Sequence, residues 1–206
     1  MTDTLIDFLR HGEPVGGRRY RGDGADDPLS DKGWQQMWEA VDGGASWTQI
    51  VSSPMQRCHA FALTLQEKLG IPLSVDERFR EVGLGSWEGQ SPDEIIARNE
   101  AEYRAFYEDP QRNRPSGSES LDDFGLRVAS AFRDVLAEQT EGHVLVVTHA
   151  GVIRAALGYV LQAAPVAWYR TRIDNAAFTR FLSGAYGIKL EFHNRPRLPP
   201  LQSIAR

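Results

Sequence analysis

Four short stretches of the chain carry side chains that could do chemistry. In Leu9-Arg-His-Gly-Glu13 a histidine stands beside an arginine and before a glycine. That order can present an imidazole nitrogen to a ligand held by the Arg10 guanidinium. Gly12 lets the backbone come close and offer N–H donors. As ordinary structure the same residues would be a loop histidine and a surface arginine, and so short a match arises by chance in on the order of a few chains per hundred. Ser52-Ser-Pro-Met-Gln-Arg57 places Arg57 one turn into an expected helix, where it could add a second bidentate contact to an anion near the helix N-terminus. Alone, that segment would favour a solvent-facing arginine by roughly three to one. Val146-Val-Thr-His-Ala-Gly-Val-Ile-Arg154 repeats the first pattern, with His149 after a strand and before a small residue and Gly151. Two histidines at the ends of two buried strands are hard to explain as independent core residues. Phe79-Arg-Glu-Val-Gly-Leu-Gly-Ser-Trp-Glu-Gly89 is a Gly-rich loop with Glu81 and Glu88. A carboxyl there, near a phosphate, could protonate a leaving alkoxide; either glutamate could equally be a surface charge.

These residues need elements to position them. Thr4-Leu-Ile-Asp-Phe-Leu9 predicts a buried strand that stops at Arg10, and Gln49-Ile-Val51 predicts a second. Ser52-Ser-Pro54 reads as a helix start, with the helix running to about Lys68 and Gly70 as its stop. Gly142-His-Val-Leu-Val-Val-Thr148 is the clearest strand, followed by a helix from Val152 to about Leu161. Late strands are expected near Ala176–Leu182 and Ile188–Phe192 around the turn Ser183-Gly-Ala185, and helices near 30–42, 92–108 and 119–138. Strands alternating with helices imply an α/β fold, a three-layer α/β/α sandwich with a mostly parallel central sheet. Such sheets bind ligands at the carboxyl ends of their strands, where Arg10-His11, Arg57 and His149 should converge.

Composition bounds the function. The chain has 206 residues, one cysteine, and 28 acidic against 23 basic side chains, a formal charge of −5. A lone Cys58 excludes an intrachain disulfide and a cysteine-based zinc site, and fits a reducing compartment. No apolar run is long enough for a membrane span, and the N-terminal residues show no basic and apolar leader, so a cytoplasmic protein with no membrane partner is expected. Mild acidity argues against nucleic acid as the partner. It would also seem to disfavour a phosphorylated ligand, yet Arg10, Arg18, Arg19 and Arg21 crowd into residues 10–21, and local charge decides binding.

In their order along the chain, Leu9-Arg-His-Gly-Glu13, Ser52-Ser-Pro-x-x-Arg57, Arg80-Glu81 with Gly85-Ser-Trp-Glu-Gly89, Gly117-Ser-Glu-Ser-Leu121 and Thr148-His-Ala-Gly151 resemble the histidine phosphatase superfamily, in its phosphoglycerate mutase-like branch. Arg19-Tyr-Arg-Gly22 and Asp27-Pro-Leu-Ser-Asp-Lys-Gly33 are similar to the small α-ribazole phosphatases of cobalamin metabolism. The resemblance implies a phosphoglycerate mutase-like fold, with residues 1–193 a single domain, about 88–140 a helical insertion covering the site, and 194–206 a Pro-containing C-terminal tail. It implies that His11 attacks phosphorus and forms a phosphohistidine, that Arg10, Arg57 and His149 hold the phosphoryl oxygens, and that Glu81 is the proton donor. Catalytic His11, Glu81 and His149 and phosphate-binding Arg10, Arg57, Gly12 and Arg21 are thus the expected site. No metal and no cofactor is required, and no ligand spacing for a metal is present.

One departure bears on the substrate. Many members place an Asn in the loop after the Arg-His-Gly signature, whereas Glu13-Pro-Val-Gly-Gly-Arg-Arg-Tyr-Arg21 has none. Arg19, Arg21 or glycine N–H groups are the alternatives. Glu88 and Trp87 are expected to be structural, and 92–108, with Tyr103, Phe106 and Tyr107, to shape the leaving-group pocket. The expected function is a metal-independent phosphomonoesterase acting on a small phosphorylated metabolite, α-ribazole 5′-phosphate among the candidates. The alternatives are a phosphoglycerate mutase-type isomerase and a catalytically inactive phosphate-binding regulator. A homodimer is compatible with the chain.

Overall fold

The apolar, β-branched run His143–Thr148 forms β4, buried along its whole length at the middle of the sheet. In the computed structural model, which describes residues 3–43, 46–138 and 142–199, it pairs in parallel with β1 (Thr4–Arg10) and β2 (Gln49–Ser52). The other strands are β3 (Leu73–Val75), β5 (Phe178–Gly184) and β6 (Gly187–Arg195), in the order β3-β2-β4-β1-β5-β6. β3 pairs parallel to β2, while β5 runs antiparallel to both β1 and β6. Only β5 therefore opposes the rest, and the sheet is mostly parallel.

Side-chain alternation divides the core into two layers. Ile6, Phe8, Val144, Val146 and Phe181 face one cluster, which takes in α4 (Leu121–Glu138) and α5 (Ala150–Leu161). Leu9, Leu145, Val147 and Phe178 face the other, against α1 (Asp31–Val41) and α2 (Gln56–Leu69). The fold is the three-layer α/β/α sandwich. Phe8 meets Phe79, Phe132 and Phe181 edge-on at 6.0, 5.3 and 5.6 Å. Each such pair contributes about 0.5–1.5 kcal/mol beyond its burial.

Register explains the site. Arg10 lies opposite Thr148, and Ser52 opposite Val147, so β1, β2 and β4 end at one edge and discharge their loops together.

Several elements differ from the sequence expectations. The three-residue β3 was not foreseen: Pro72 precedes it and only β2 pairs with it. Helix α2 begins at Gln56 rather than at Pro54, with Met55 as an N-cap that makes no side-chain bond, because the serine before Pro54 is drawn to His149. The hairpin turn falls at Ala185 and Tyr186. Helix α3 (Pro92–Glu108) begins with a Ser91–Glu94 capping box and breaks at Asn99, whose Oδ1 accepts from Glu102 N and restarts the helix. Not all of 88–140 covers the site. Leu121, Phe124, Val128, Ala131, Phe132 and Val135 make an apolar stripe that packs α4 into the sandwich, while residues 139 and 140 lie outside the described chain. β6 runs through Asn194 and Arg195, so the Pro-containing tail starts two residues later than expected, and residues 200–206 lie outside the described chain. Among the described residues, no helix is long and apolar enough to cross a membrane.

Candidate active site

At the carboxyl ends of these strands lies a cleft of about 640 Å³. It is lined by His11, Arg10, Arg57 and Glu81, all expected from sequence, and by Arg154 and Tyr169, which were not.

His11 directly follows β1. Its Nδ1 lies 2.7 Å from the Gly12 carbonyl oxygen. A carbonyl only accepts, so Nδ1 carries the proton and Nε2 holds the lone pair. Burial, then the Arg57 and Arg10 cations, hold its pKa well below the ordinary 6.5, so the ring is neutral. Gly12 is required by packing: a Cβ there would sit 2.2 Å from the Gly33 carbonyl oxygen on α1. The glycine pair lets the loop close onto that helix.

Two arginines flank the imidazole. Arg10 gives Nη1 to Ile173 O at 2.6 Å, and Arg57 donates to Ala25 O and Gly22 O at 3.0 and 3.1 Å. Each is thereby fixed, and each keeps a buried Nε with no protein acceptor. Burial pulls the pKa of Arg10 down to about 10, which still leaves it a cation at neutral pH. Buried cations with unmatched donors are suited to a dianion such as phosphate.

Glu81 faces them from the Gly-rich loop. Its Oε1 accepts from Val82 N and from Gly151 N near the start of α5, both at 3.0 Å. Oε2 has only a 3.3 Å contact with the same Gly151 N–H, and is the freer oxygen for proton exchange. The loop is held from α4 by Arg127, which donates to the carbonyls of Arg78, Arg80 and Glu81 and pairs bidentately with Glu119. Glu88 is structural: it accepts from Gly24 N and Leu84 N, tying the two loops of the mouth together.

His149 comes against His11, with ring centroids 5.2 Å apart, but it is fully buried and Ala150 and Gly151 form the cleft wall beside it. Its Nε2 shares a 2.7 Å hydrogen bond with Ser53 Oγ, and the Cys58 sulfur lies 3.6 Å away. Burial, Arg57 and His11 keep this imidazole neutral as well. Burial pushes the Cys58 thiol pKa up, so it stays protonated beside the His149 ring.

Arg21 reaches the cleft and is held by the loop around it. Its Nε pairs with Asp27 at 2.8 Å, Nη2 donates to Val15 O at 2.6 Å and Nη1 to Arg19 O at 3.4 Å. These three bonds brace the loop and leave one further N–H on each of Nη1 and Nη2. Arg19 likewise donates to Gly89 O and lies 3.6 Å from Glu94.

Arg154 escaped the sequence reading, although helical spacing points to it: it stands one turn after Ala150 and Gly151, on the face that meets the cleft. Tyr169, on the 3-10 turn Pro165–Arg170, carried no local signal, whereas Tyr107 of α3, expected to shape the leaving-group pocket, lines the cleft. Gln36 of α1 accepts from Glu13 N and lines the wall. Among the described residues no three His, Cys, Asp or Glu side chains cluster so as to hold a metal ion.

Known proteins share this fold. The chain is 32% identical to the glucosyl-3-phosphoglycerate phosphatase of Mycolicibacterium vanbaalenii, over 91% of this chain and 84% of that one. It is 30% identical to the bifunctional protein Rv2228c of Mycobacterium tuberculosis, over 92% of this chain. It spans 54% of the length of that protein and of the other first curated relatives it matches. The solved structure of a mycobacterial glucosyl-3-phosphoglycerate phosphatase superposes with a TM-score of 0.83 at 27% identity, covering 94% of this chain and 99% of that one. The sequence pattern of the histidine phosphatase superfamily, branch 1, matches residues 6–196, and this chain belongs to that superfamily.

Proposed function

We propose that the chain is a metal-independent phosphomonoesterase that hydrolyses a small phosphorylated metabolite through a phosphohistidine on His11. The observation that carries this reading is the His11 tautomer: Nδ1–H is committed to Gly12 O, leaving a nucleophilic Nε2 in a cleft with Arg10 and Arg57. Family membership and phosphatase-named relatives support the reaction class.

In the first step Nε2 attacks phosphorus and the bond from phosphorus to the ester oxygen breaks. Arg10 and Arg57 hold the equatorial oxygens, and His149, fixed by Ser53, stands beside the transferred group. The leaving alkoxide takes the proton of the Glu81 carboxyl. In the second step the Glu81 carboxylate takes a proton from water, whose oxygen attacks phosphorus, and the N–P bond breaks to release phosphate.

The test is a panel of phosphomonoesters, α-ribazole 5′-phosphate included, given to wild type and His11→Ala with and without excess chelator. Phosphate release that survives chelation and is lost in the mutant is expected, with acid-labile phosphate on His11 after rapid quench. Loss on chelation, restored by a divalent ion, would sink the metal-independent mechanism. Interconversion of phosphoglycerates without release would make the chain a mutase, and binding without turnover a regulator.

A further inference from the structure

We propose, resting on the phosphomonoesterase reading, that Gln36 is a further phosphoryl-binding residue: its carboxamide NH2, carried to the cleft by α1, donates to a non-bridging oxygen of the bound phosphoryl group.

The backbone fixes where this amide stands. Ser30, the N-cap of α1, gives both its N–H and its hydroxyl to Glu13 O, at 2.9 and 3.0 Å. Gly33 lies so close to the same loop that a Cβ on it would come 2.1 Å from Glu13 O. The first turn of α1 is thereby pinned to the two residues that follow His11. Three positions after Gly33, Gln36 lies on the same face of the helix and shares the cleft lining with His11 and Glu13. Residues 13–21 hold no carboxamide of their own.

The same loop fixes which way the amide faces. Gln36 Oε1 accepts from Glu13 N at 2.9 Å. A peptide N–H only donates, so the amide oxygen must face Glu13 and the NH2 group must turn away from it. Nε2 carries two N–H groups and has no protein acceptor among the described residues. One end of the amide is committed and the other idle, on a helix that cannot shift without losing its cap. Such a donor is pre-organised for an acceptor that the ligand supplies.

The layers of the sandwich assign the side of the cleft. α1 packs with α2 on one face of the sheet, whereas Glu81, the expected acid, is held by Gly151 of α5 on the other. Gln36 therefore stands with the loop of His11 rather than with the departing alcohol, and the ligand acceptors on that side are phosphoryl oxygens. A neutral donor also adds a hydrogen bond to a dianion without placing another cation beside Arg10 and Arg57. Glu13, the acidic neighbour in this wall, has its Oε2 paired with Lys32 at 2.8 Å.

The experiment titrates inorganic phosphate by calorimetry into wild type, Gln36→Glu and Gln36→Met at pH 7. Gln36→Glu keeps an acceptor for Glu13 N and loses the donor; Gln36→Met loses both and adds no charge. Each should weaken the phosphate Kd on the order of 10-fold or more, Gln36→Glu the more severely. If Gln36 merely braced the loop, the order would reverse, with Gln36→Glu binding as wild type and Gln36→Met alone impaired. That result, or wild-type affinity in Gln36→Met, overturns the donor. NMR reads the contact directly: the side-chain NH2 signals of Gln36, identified by their absence from Gln36→Met, should move downfield as phosphate is added. Signals that stay in place at saturation overturn it even if both variants bind weakly, and so does a wild type that binds no phosphate at millimolar concentration. None of these readouts uses turnover. If they come out as expected while wild type hydrolyses no phosphomonoester, the donor stands and the phosphomonoesterase reading alone has failed.

Discussion

Replacing Gly151 by alanine should disable the acid without unfolding the protein. A Cβ on Gly151 would fall 2.2 Å from Glu81 Oε1 and 3.1 Å from Val82 Cγ1. Ordinary van der Waals contact begins at 3.4 Å, so the carboxylate must retreat by about 1.2 Å. That motion breaks or lengthens the 3.0 Å bonds from Gly151 N and Val82 N that aim it. The stability terms oppose one another. Alanine in the first turn of α5 gains about 0.5–1 kcal/mol of backbone entropy, and two weakened hydrogen bonds cost about 0.5–1.5 kcal/mol each. The melting temperature should therefore move by only a few degrees. The kinetic effect is not balanced: a displacement of about 1 Å can cost on the order of 100-fold, and general acid catalysis is worth about 10² to 10⁴. Because the acid matters only when the leaving group is poor, the assay measures kcat on glycerol 3-phosphate and on 2,4-dinitrophenyl phosphate. We expect a loss of at least about 100-fold on the first and under about 10-fold on the second, matching Glu81→Gln. Equal losses on both, or none on the alkyl ester, would refute the assignment of Glu81 as the acid held by α5.

Two further predictions concern charge. His11 and His149 have folded pKa values held below the ordinary 6.5 by burial and by Arg57, so between those values and 6.5 the unfolded chain binds more protons. Stability must then fall as pH drops from about 6.5, by up to about 2.7 kcal/mol per pH unit while both are protonated only when unfolded. Urea titrations from pH 7 to 5 check the sign, and imidazole NMR should show His11 neutral at pH 6 with its pKa raised in Arg57→Met. The second concerns Asp7, fully buried with Arg180 at 2.6 Å, His143 Nε2 at 2.7 Å and Trp47 Nε1 at 3.0 Å. Asp7→Ala leaves the Arg180 cation without its partner and should cost about 3–5 kcal/mol in urea unfolding, much of it recovered in Asp7→Ala/Arg180→Met. A loss under 1 kcal/mol would show that the network is solvated or dispensable.

The parts legible in the sequence were those whose signals are local. Apolar, β-branched runs ending at polar loops marked β1 and β4, and the Arg-His-Gly and His-Ala-Gly turns marked the two imidazoles. The three-residue β3 was illegible because a strand so short exists through its pairing with β2. Helix α4 was misjudged as part of a cover because its apolar stripe says that it packs, but not on what. Asp7 is a charged residue inside an apolar strand, and only the fold brings Arg180, 173 positions later, to neutralise it.

The sequence by itself, through its resemblance to the histidine phosphatases, pointed to nitrogen rather than sulfur as the candidate nucleophile, and its residue types determined that arginines could surround it and that an acidic chain could hold a local cationic pocket. Tertiary structure decided which arginines are free. Arg21 and Arg154 look alike along the chain, yet one is paired with Asp27 and two carbonyls while the other rests on a single carbonyl. The physical reason is that a guanidinium's availability depends on the acceptors around it in space, and the register of β1, β2 and β4 sets which loops meet there.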